Sequence, residues 1–405
     1  MDYHLPKGLH IIPDHLLDRR PDTEVDTDLL NPCEIKDDKN IWFFWHQGFE
    51  NMHPYTQRNV RAWHRRLAPQ GWTIRVTNRV PGSALNIDQF LDTQDPSTFP
   101  EAFINGTIGG DHAPQHTSDL VRFPLLVKYG AVYADVGMIQ IGDLERMWNC
   151  TVGDPASPYE VLSYSMGTAQ DRALTNYFLC SARDNPFFSR CHQLLLKIWE
   201  GKTGTEGLHA HPLLRGLKLQ GANAGFSFKE GSKIYTPDEV SKMLTDYIIQ
   251  GQVMTMVLGL LDAETKWNGP QYCAEHVYAI DYMTGSQLIN ELTAWDGEEA
   301  FRLMSLPLPR EGEEEGEDQR KARCIVERCL RESFGFKLAH GLILRVLGQT
   351  LGSLWRRHEG SDVVGGTYAA WFRHGVVYWN QDEVPGRQEW GVVAPVKVGP
   401  LLREV

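Results

Sequence analysis

Residues 116–138 read HTSDLVRFPLLVKYGAVYADVGM, a helix pattern that runs directly into a strand pattern. Thr117 or Ser118 can N-cap a helix reaching about Lys128, because a short hydroxyl side chain accepts from first-turn amides. Gly130 stands just past its end, where a left-handed residue commonly closes a helix. Pro124 lies inside and is expected to kink it. AVYADVG (131–137) then reads as a strand ending in one carboxylate, Asp135, with Gly137 two residues on.

Upstream, IWFFWH (41–46) is a continuous apolar run bounded by Gln47-Gly48, as expected of a strand covered on both faces. HPYTQRNVRAWHRRLAPQG (53–71) reads as a helix with Val60, Trp63 and Leu67 on one stripe, stopped near Pro69 and Gly71. WTIRVTN (72–78) is the next strand. Strand, helix, strand in succession is a βαβ unit, so an α/β class is expected, with a mostly parallel sheet flanked by helices. The Gly/Asp/Pro-rich connection 79–115 is longer than a connector needs, and such loops usually carry function. Downstream, VLSYS (161–165) reads as a strand and NPFFSRCHQLLLKIWE (185–200) as an apolar helix.

Residues 1–40 are polar and read as an N-terminal extension, followed by a catalytic core over 41–305. The acidic stretch EGEEEGEDQRK (311–321) reads as a solvated loop within a linker at 306–322. A C-terminal segment, 323–405, then completes the crevice, and KLAHGLILRVLGQTLGSLWRR (337–357) within it reads as helix. YIIQGQVMTMVLGLLDAETK (247–266) is interrupted by Gln250, Gly251 and Gln252, so it reads as a buried helix and not a membrane span.

The chain has 405 residues, 42% of them hydrophobic, with 12 tryptophans, enough to fill a sizeable core. Its formal charge of −12 argues against broad phosphate neutralisation of nucleic acid. Seven cysteines without C-x-x-C spacing read as reduced core residues. No basic region precedes an unbroken apolar stretch at the N-terminus, so a secretory signal is not expected and the cytoplasm is the expected compartment.

Ligands of open α/β sheets lie beyond the carboxyl ends of the strands, where Asp135 would point. Asp119 and Arg122, three residues apart, share one face of the preceding helix near its anion-favouring end. Arg122 could complete a diphosphate clamp. The competing reading is structural: Asp119 satisfies first-turn amides, Arg122 pairs with it, and Asp135 closes a turn.

IWFFWHQGFENMHPYTQRNVRAW and HTSDLVRFPLLVKYGAVYADVGM together resemble the capsular-polysaccharide-synthesis and mannosyltransferase-like glycosyltransferases. That group carries I-W-x-x-W and then S-D-x-x-R-x-x-x-L-x-x-Y-G-G-x-Y-x-D-x-D. Ser118, Asp119, Arg122, Leu126, Tyr129, Gly130, Tyr133 and Asp135 match, Ala131 replaces the second glycine, and the likeness covers residues 41–150. The resemblance implies a GT-A-like, Rossmann-like sheet binding a nucleotide sugar through a divalent metal, Mn²⁺ or Mg²⁺, and transfer that retains anomeric configuration. It places Trp45, His46, Gln47, Ser118 and Tyr133 near the nucleotide, Asp119 at the sugar or ribose, and Asp135 at the metal. A late histidine often joins the metal; His340 is the first candidate and His358 the second.

Gly137 departs from that pattern, since glycine offers no donor where the group has its second acid. Asp143 is the nearest acid that follows. Three outcomes stay open: a metal held by Asp135 and phosphate oxygens, a metal-independent enzyme using arginine and helix dipoles, or a fold serving other chemistry. Under the last, a tRNA-dependent cyclodipeptide synthase of a fungal natural-product pathway would be expected to carry D-D-x-x-E. The single Asp-Asp pair, Asp37-Asp38, is followed by Lys39 and Asn40 and lacks that spacing. A non-catalytic nucleotide-sugar-fold protein is the remaining alternative. GKTGTEG (201–207) matches no phosphate loop, and His209 and His211 form a metal pair only with distant partners.

Overall fold

The apolar run at 41–46 becomes a central strand because both of its faces are covered by helices. In the computed structural model, which describes residues 3–35, 38–167 and 172–404, Asn40–Phe44 is buried throughout. Asp37, of the Asp-Asp pair, lies outside the described residues. Six strands form the central sheet in the order Val277–Asp281, Val161–Ser165, Leu174–Ser181, Ala131–Ala134, Asn40–Phe44, Thr73–Thr77. Only Leu174–Ser181 runs against its neighbours, so five strands share one direction. The mostly parallel sheet is therefore present.

The expected crossover helix is Pro54–Leu67, and its Val60, Trp63 and Leu67 are buried beside Ile41 and Phe43. Withdrawing each such side chain from water contributes about 1.5–3 kcal/mol, and Trp63 also packs edge-on against Phe43 at 5.4 Å. On the other face, Trp42 and Phe44 share a cluster with Ala113–Tyr129, Pro186–Ile198 and the buried helix Ile249–Leu258. Among the described residues no helix is long and apolar enough to cross a membrane.

The Ala113–Tyr129 helix starts four residues before Thr117, with Pro114 in its first turn. The Thr117 hydroxyl donates to the Ala113 carbonyl at 2.8 Å and does not cap. The helix stays continuous through Pro124. Gly130 ends it at φ +66°, and a Cβ there would lie 2.5 Å from the Arg183 amide nitrogen, so only glycine fits. Ala131, at the group's second glycine position, also has positive φ, +65°.

Several expectations need correction. The strand that carries the acid stops at Ala134, and after a turn Met138–Gln140 pairs antiparallel with Gly335–Lys337. The 337–357 stretch is not one helix: Lys337 closes a strand, and only Ile343–Leu347 and Leu351–Arg357 are helical. Gly341 (φ +72°) and Gly348 (φ +74°) break it by turning left-handed. The acidic stretch is loop only up to Gly316, because Glu317–Glu332 is a helix. Glu317 and Asp318 suit its first turn, and Ile325, Val326, Cys329 and Leu330 form its buried stripe. The polar start of the chain is also tied down, with Leu9–Ile11 pairing antiparallel with Trp379–Gln381. All seven cysteines are free thiols, but Cys33, Cys150 and Cys324 are exposed and not core residues.

Candidate active site

Parallel pairing brings the carboxyl ends of three strands to one edge. Trp42 lies opposite Tyr133, so Asp135 emerges where the neighbouring strand ends at Phe44. Residues 45–47 continue along that edge: the Trp45 amide donates to the Thr77 carbonyl at 2.9 Å, and Arg79 donates to the His46 carbonyl at 3.1 Å. Trp45 is half-buried, its indole donating to the Asn51 carbonyl at 3.2 Å, while His46 and Gln47 are exposed. All three follow the strand that pairs with the one leading to Asp135.

The Ser118-Asp119-x-x-Arg122 helix face meets this edge from below. Arg122 Nη2 lies 2.8 Å from Asp119 Oδ1 and 3.4 Å from Asp135 Oδ1. Its Nη1 donates to the Asn176 carbonyl, and its guanidinium stacks 4.8 Å over the Tyr133 ring. With a side chain only 3% exposed, Arg122 is turned to the two acids and lacks the open face that a direct diphosphate clamp needs. Tyr133 is fully buried and its hydroxyl bonds Ser118 Oγ at 2.8 Å, so it supports the helix and has no face open to a nucleotide. Gln250 anchors the same turn from the buried helix by donating to the Asp119 carbonyl.

The less buried cation of the site is one that sequence reasoning passed over. Lys337 Nζ sits 2.8 Å from Asp135 Oδ2, on the oxygen that Arg122 does not approach. Burial pushes the Asp135 carboxyl up, but the Lys337 and Arg122 charges outweigh it and hold it below the usual carboxylate range. Lys337 stands within the quoted KLAHG, yet nothing local marks it; about two hundred residues separate it from its partner. Only the pairing of Gly335–Lys337 with Met138–Gln140 delivers it.

His340 also lies here, its Cδ2 3.8 Å from where a Gly137 Cβ would stand. Burial first, then the Lys337 and Arg356 charges, hold its pKa at about 3, so the ring is neutral near pH 7. Its Nε2 is hydrogen-bonded to the Tyr55 hydroxyl at 2.8 Å. His358 is elsewhere, packed near Phe301. Asp143 is an N-cap that accepts from the Arg146 amide at 3.0 Å. His209 is paired with Asp246 at 2.9 Å, and His211 Nδ1 accepts from the Leu213 amide, so the two histidines serve loop structure.

The donor set does not fit a resident divalent metal. Magnesium and manganese favour carboxylate oxygens with phosphate and water. Asp119 Oδ1 is taken by Arg122, Asp135 is taken by Lys337 and Arg122, and Gly137 offers nothing. Among the described residues, close sets of three metal-type donors are limited to Asp18, Asp28 and His64, where Arg20 already pairs with both acids.

An acid thus lies against a buried arginine at the carboxyl edge of a mostly parallel sheet. Residues 11–206 match the family described as "Capsular polysaccharide synthesis protein". Over 98% of its length the chain is 34% identical to "O-glycosyltransferase braB" of Annulohypoxylon truncatum, covering 94% of that protein. It is 32% identical to "Glycosyltransferase afumC" of Aspergillus fumigatus, over 88% of this chain and 89% of that one. It is 29% identical to "O-glycosyltransferase PaGT" of Phomopsis amygdali, over 93% and 91%. The chain belongs to this capsular-polysaccharide-synthesis family of glycosyltransferases.

Proposed function

We propose that the chain moves a sugar from a nucleotide-sugar donor to a hydroxyl of a small-molecule or glycan acceptor, on a GT-A-like sheet. What supports this reading is Asp135 at the carboxyl edge of the sheet, between Arg122 and Lys337, with 26% of its side chain still exposed. The relatives named O-glycosyltransferases support a hydroxyl acceptor. Trp45, His46 and Gln47 border the nucleotide, Asp119 faces the ribose or sugar, and Asp135 sets the charge at the diphosphate. Catalysis of this kind is mostly electrostatic, because fixed charges stabilise the charge that grows on the leaving group.

Purified full-length chain incubated with a panel of UDP- and GDP-sugars should release nucleoside diphosphate from one of them. An acceptor hydroxyl should raise that release, and Asp135→Asn should stop it. Consumption of charged tRNA with no turnover of any sugar nucleotide would move the reading to an aminoacyl-tRNA-dependent transferase. The missing second acid at Gly137 is what favours a non-catalytic role, and turnover of a sugar nucleotide would remove it.

A further inference from the structure

Gly137 is not required by its backbone, since it is absent from the positive-φ residues. What crowds a side chain there is the neighbourhood. A Cβ would stand 3.2 Å from the Leu338 carbonyl oxygen and 3.3 Å from Lys337 Nζ. An aspartate at 137 would thus be built into the space the ammonium uses. The Leu338 amide donates to the Gly137 carbonyl at 2.9 Å, continuing the ladder that places Lys337 opposite Met138. The lysine is therefore set by the sheet and not by a wandering loop. It stays within reach of a ligand: its side chain is 17% exposed and that of Asp135 is 26%.

We infer that Lys337 is the resident cation of this site, held by Asp135 in the room left by Gly137, and that it binds the donor diphosphate where relatives with two acids would hold a divalent metal. The inference rests on the nucleotide-sugar reading above. An ammonium has three N–H donors, and one is directed at Asp135 Oδ2, which leaves two for phosphate oxygens. A dication brought to the same carboxylate would meet the ammonium's like charge at short range. In the transfer, the bond between the anomeric carbon and the diphosphate oxygen breaks, and its electron pair stays on that oxygen. The acceptor oxygen bonds the anomeric carbon, and its hydroxyl proton ends on the departing diphosphate. Lys337 contributes charge and neither gains nor loses a bond.

The test uses full-length chain stripped with EDTA and titrated calorimetrically with UDP and with GDP, with and without millimolar Mn²⁺. The nucleotide that binds should do so in EDTA, with a dissociation constant within about threefold of that in Mn²⁺. Lys337→Ala should weaken it by about tenfold or more, Lys337→Arg should recover most of the loss, and binding of the phosphate-free nucleoside should be unchanged. Wild-type binding that requires Mn²⁺ overturns the inference without any variant and leaves the nucleotide-sugar reading standing. So does a correctly melting Lys337→Ala with undiminished affinity. If neither diphosphate binds the wild type under either condition, the donor reading itself fails and the inference goes with it.

Discussion

Asp362 and Asp135 are each clamped between two cations, and they differ in what they leave open. Asp362 is held by Arg58 at 2.5 Å and Arg373 at 2.8 Å, and none of its side chain is exposed. It ties the Pro54–Leu67 helix to Tyr368–Tyr378, with Arg373 also donating to Asn59. Asp135 is held by Arg122 and Lys337 at 3.4 and 2.8 Å, yet 26% of its side chain remains exposed. Charge count alone would rank the two sites equal. Access separates them: one carboxylate has no face left for a ligand, and the other lies at the carboxyl edge of a parallel sheet.

The sharpest way to break the comparison is to neutralise each acid in turn. Asp135→Asn should lower sugar transfer about a thousandfold or more, while its melting temperature moves by only a few degrees. Unaltered turnover in a steady-state assay would remove this acid from the site. Asp362→Asn should do the reverse. Leaving two arginines around an uncharged amide in the interior should cost about 3–5 kcal/mol, read from urea unfolding, with turnover per folded molecule within about twofold. An unshifted urea midpoint would mean that the closed clamp is not structural.

Gly130→Ala addresses how the open clamp is carried, because the acid-bearing strand starts from that turn. With φ at +66°, ψ at −152° and a Cβ 2.5 Å from the Arg183 amide, the alanine should cost about 1–3 kcal/mol or more. A wild-type denaturation curve would show that the turn relaxes freely.

The smallest effect is in pH. His340 is held neutral, with a pKa of about 3 against an ordinary 6.5. Between those values the unfolded chain binds the extra proton, so stability falls as pH drops through that window. Asp135 and Asp362, both held below the usual carboxylate range, lose their contribution only below pH 3.8. His340→Gln should therefore flatten the stability slope between pH 6.5 and 4.5 and leave the acid limb intact. A slope identical to wild type would mean that the imidazole is not buried neutral.

Much of this was legible in short stretches. IWFFWH, the Val60/Trp63/Leu67 stripe and AVYAD each carry their own period and punctuation, so the sheet's first half and the acid at its edge could be read directly. Asp119, Arg122 and Asp135 were legible as a group because helix and strand geometry bring them together over few residues. Their roles were not. Arg122 and Tyr133 differ from Asp135 chiefly in burial, which depends on what packs above them. KLAHGLILRVLGQTLGSLWRR reads as one helix in sequence, whereas Gly341 and Gly348 both take positive φ and interrupt it.

The amino-acid sequence by itself determined the α/β class, the strand that ends in Asp135, and the helix face that supports it, because those follow from local periodicity and steric limits. Which cation meets that acid was decided only by tertiary structure. Lys337 arrives through a strand pairing between segments far apart in the chain, and such pairings depend on the packing of the whole rather than on any neighbouring residues.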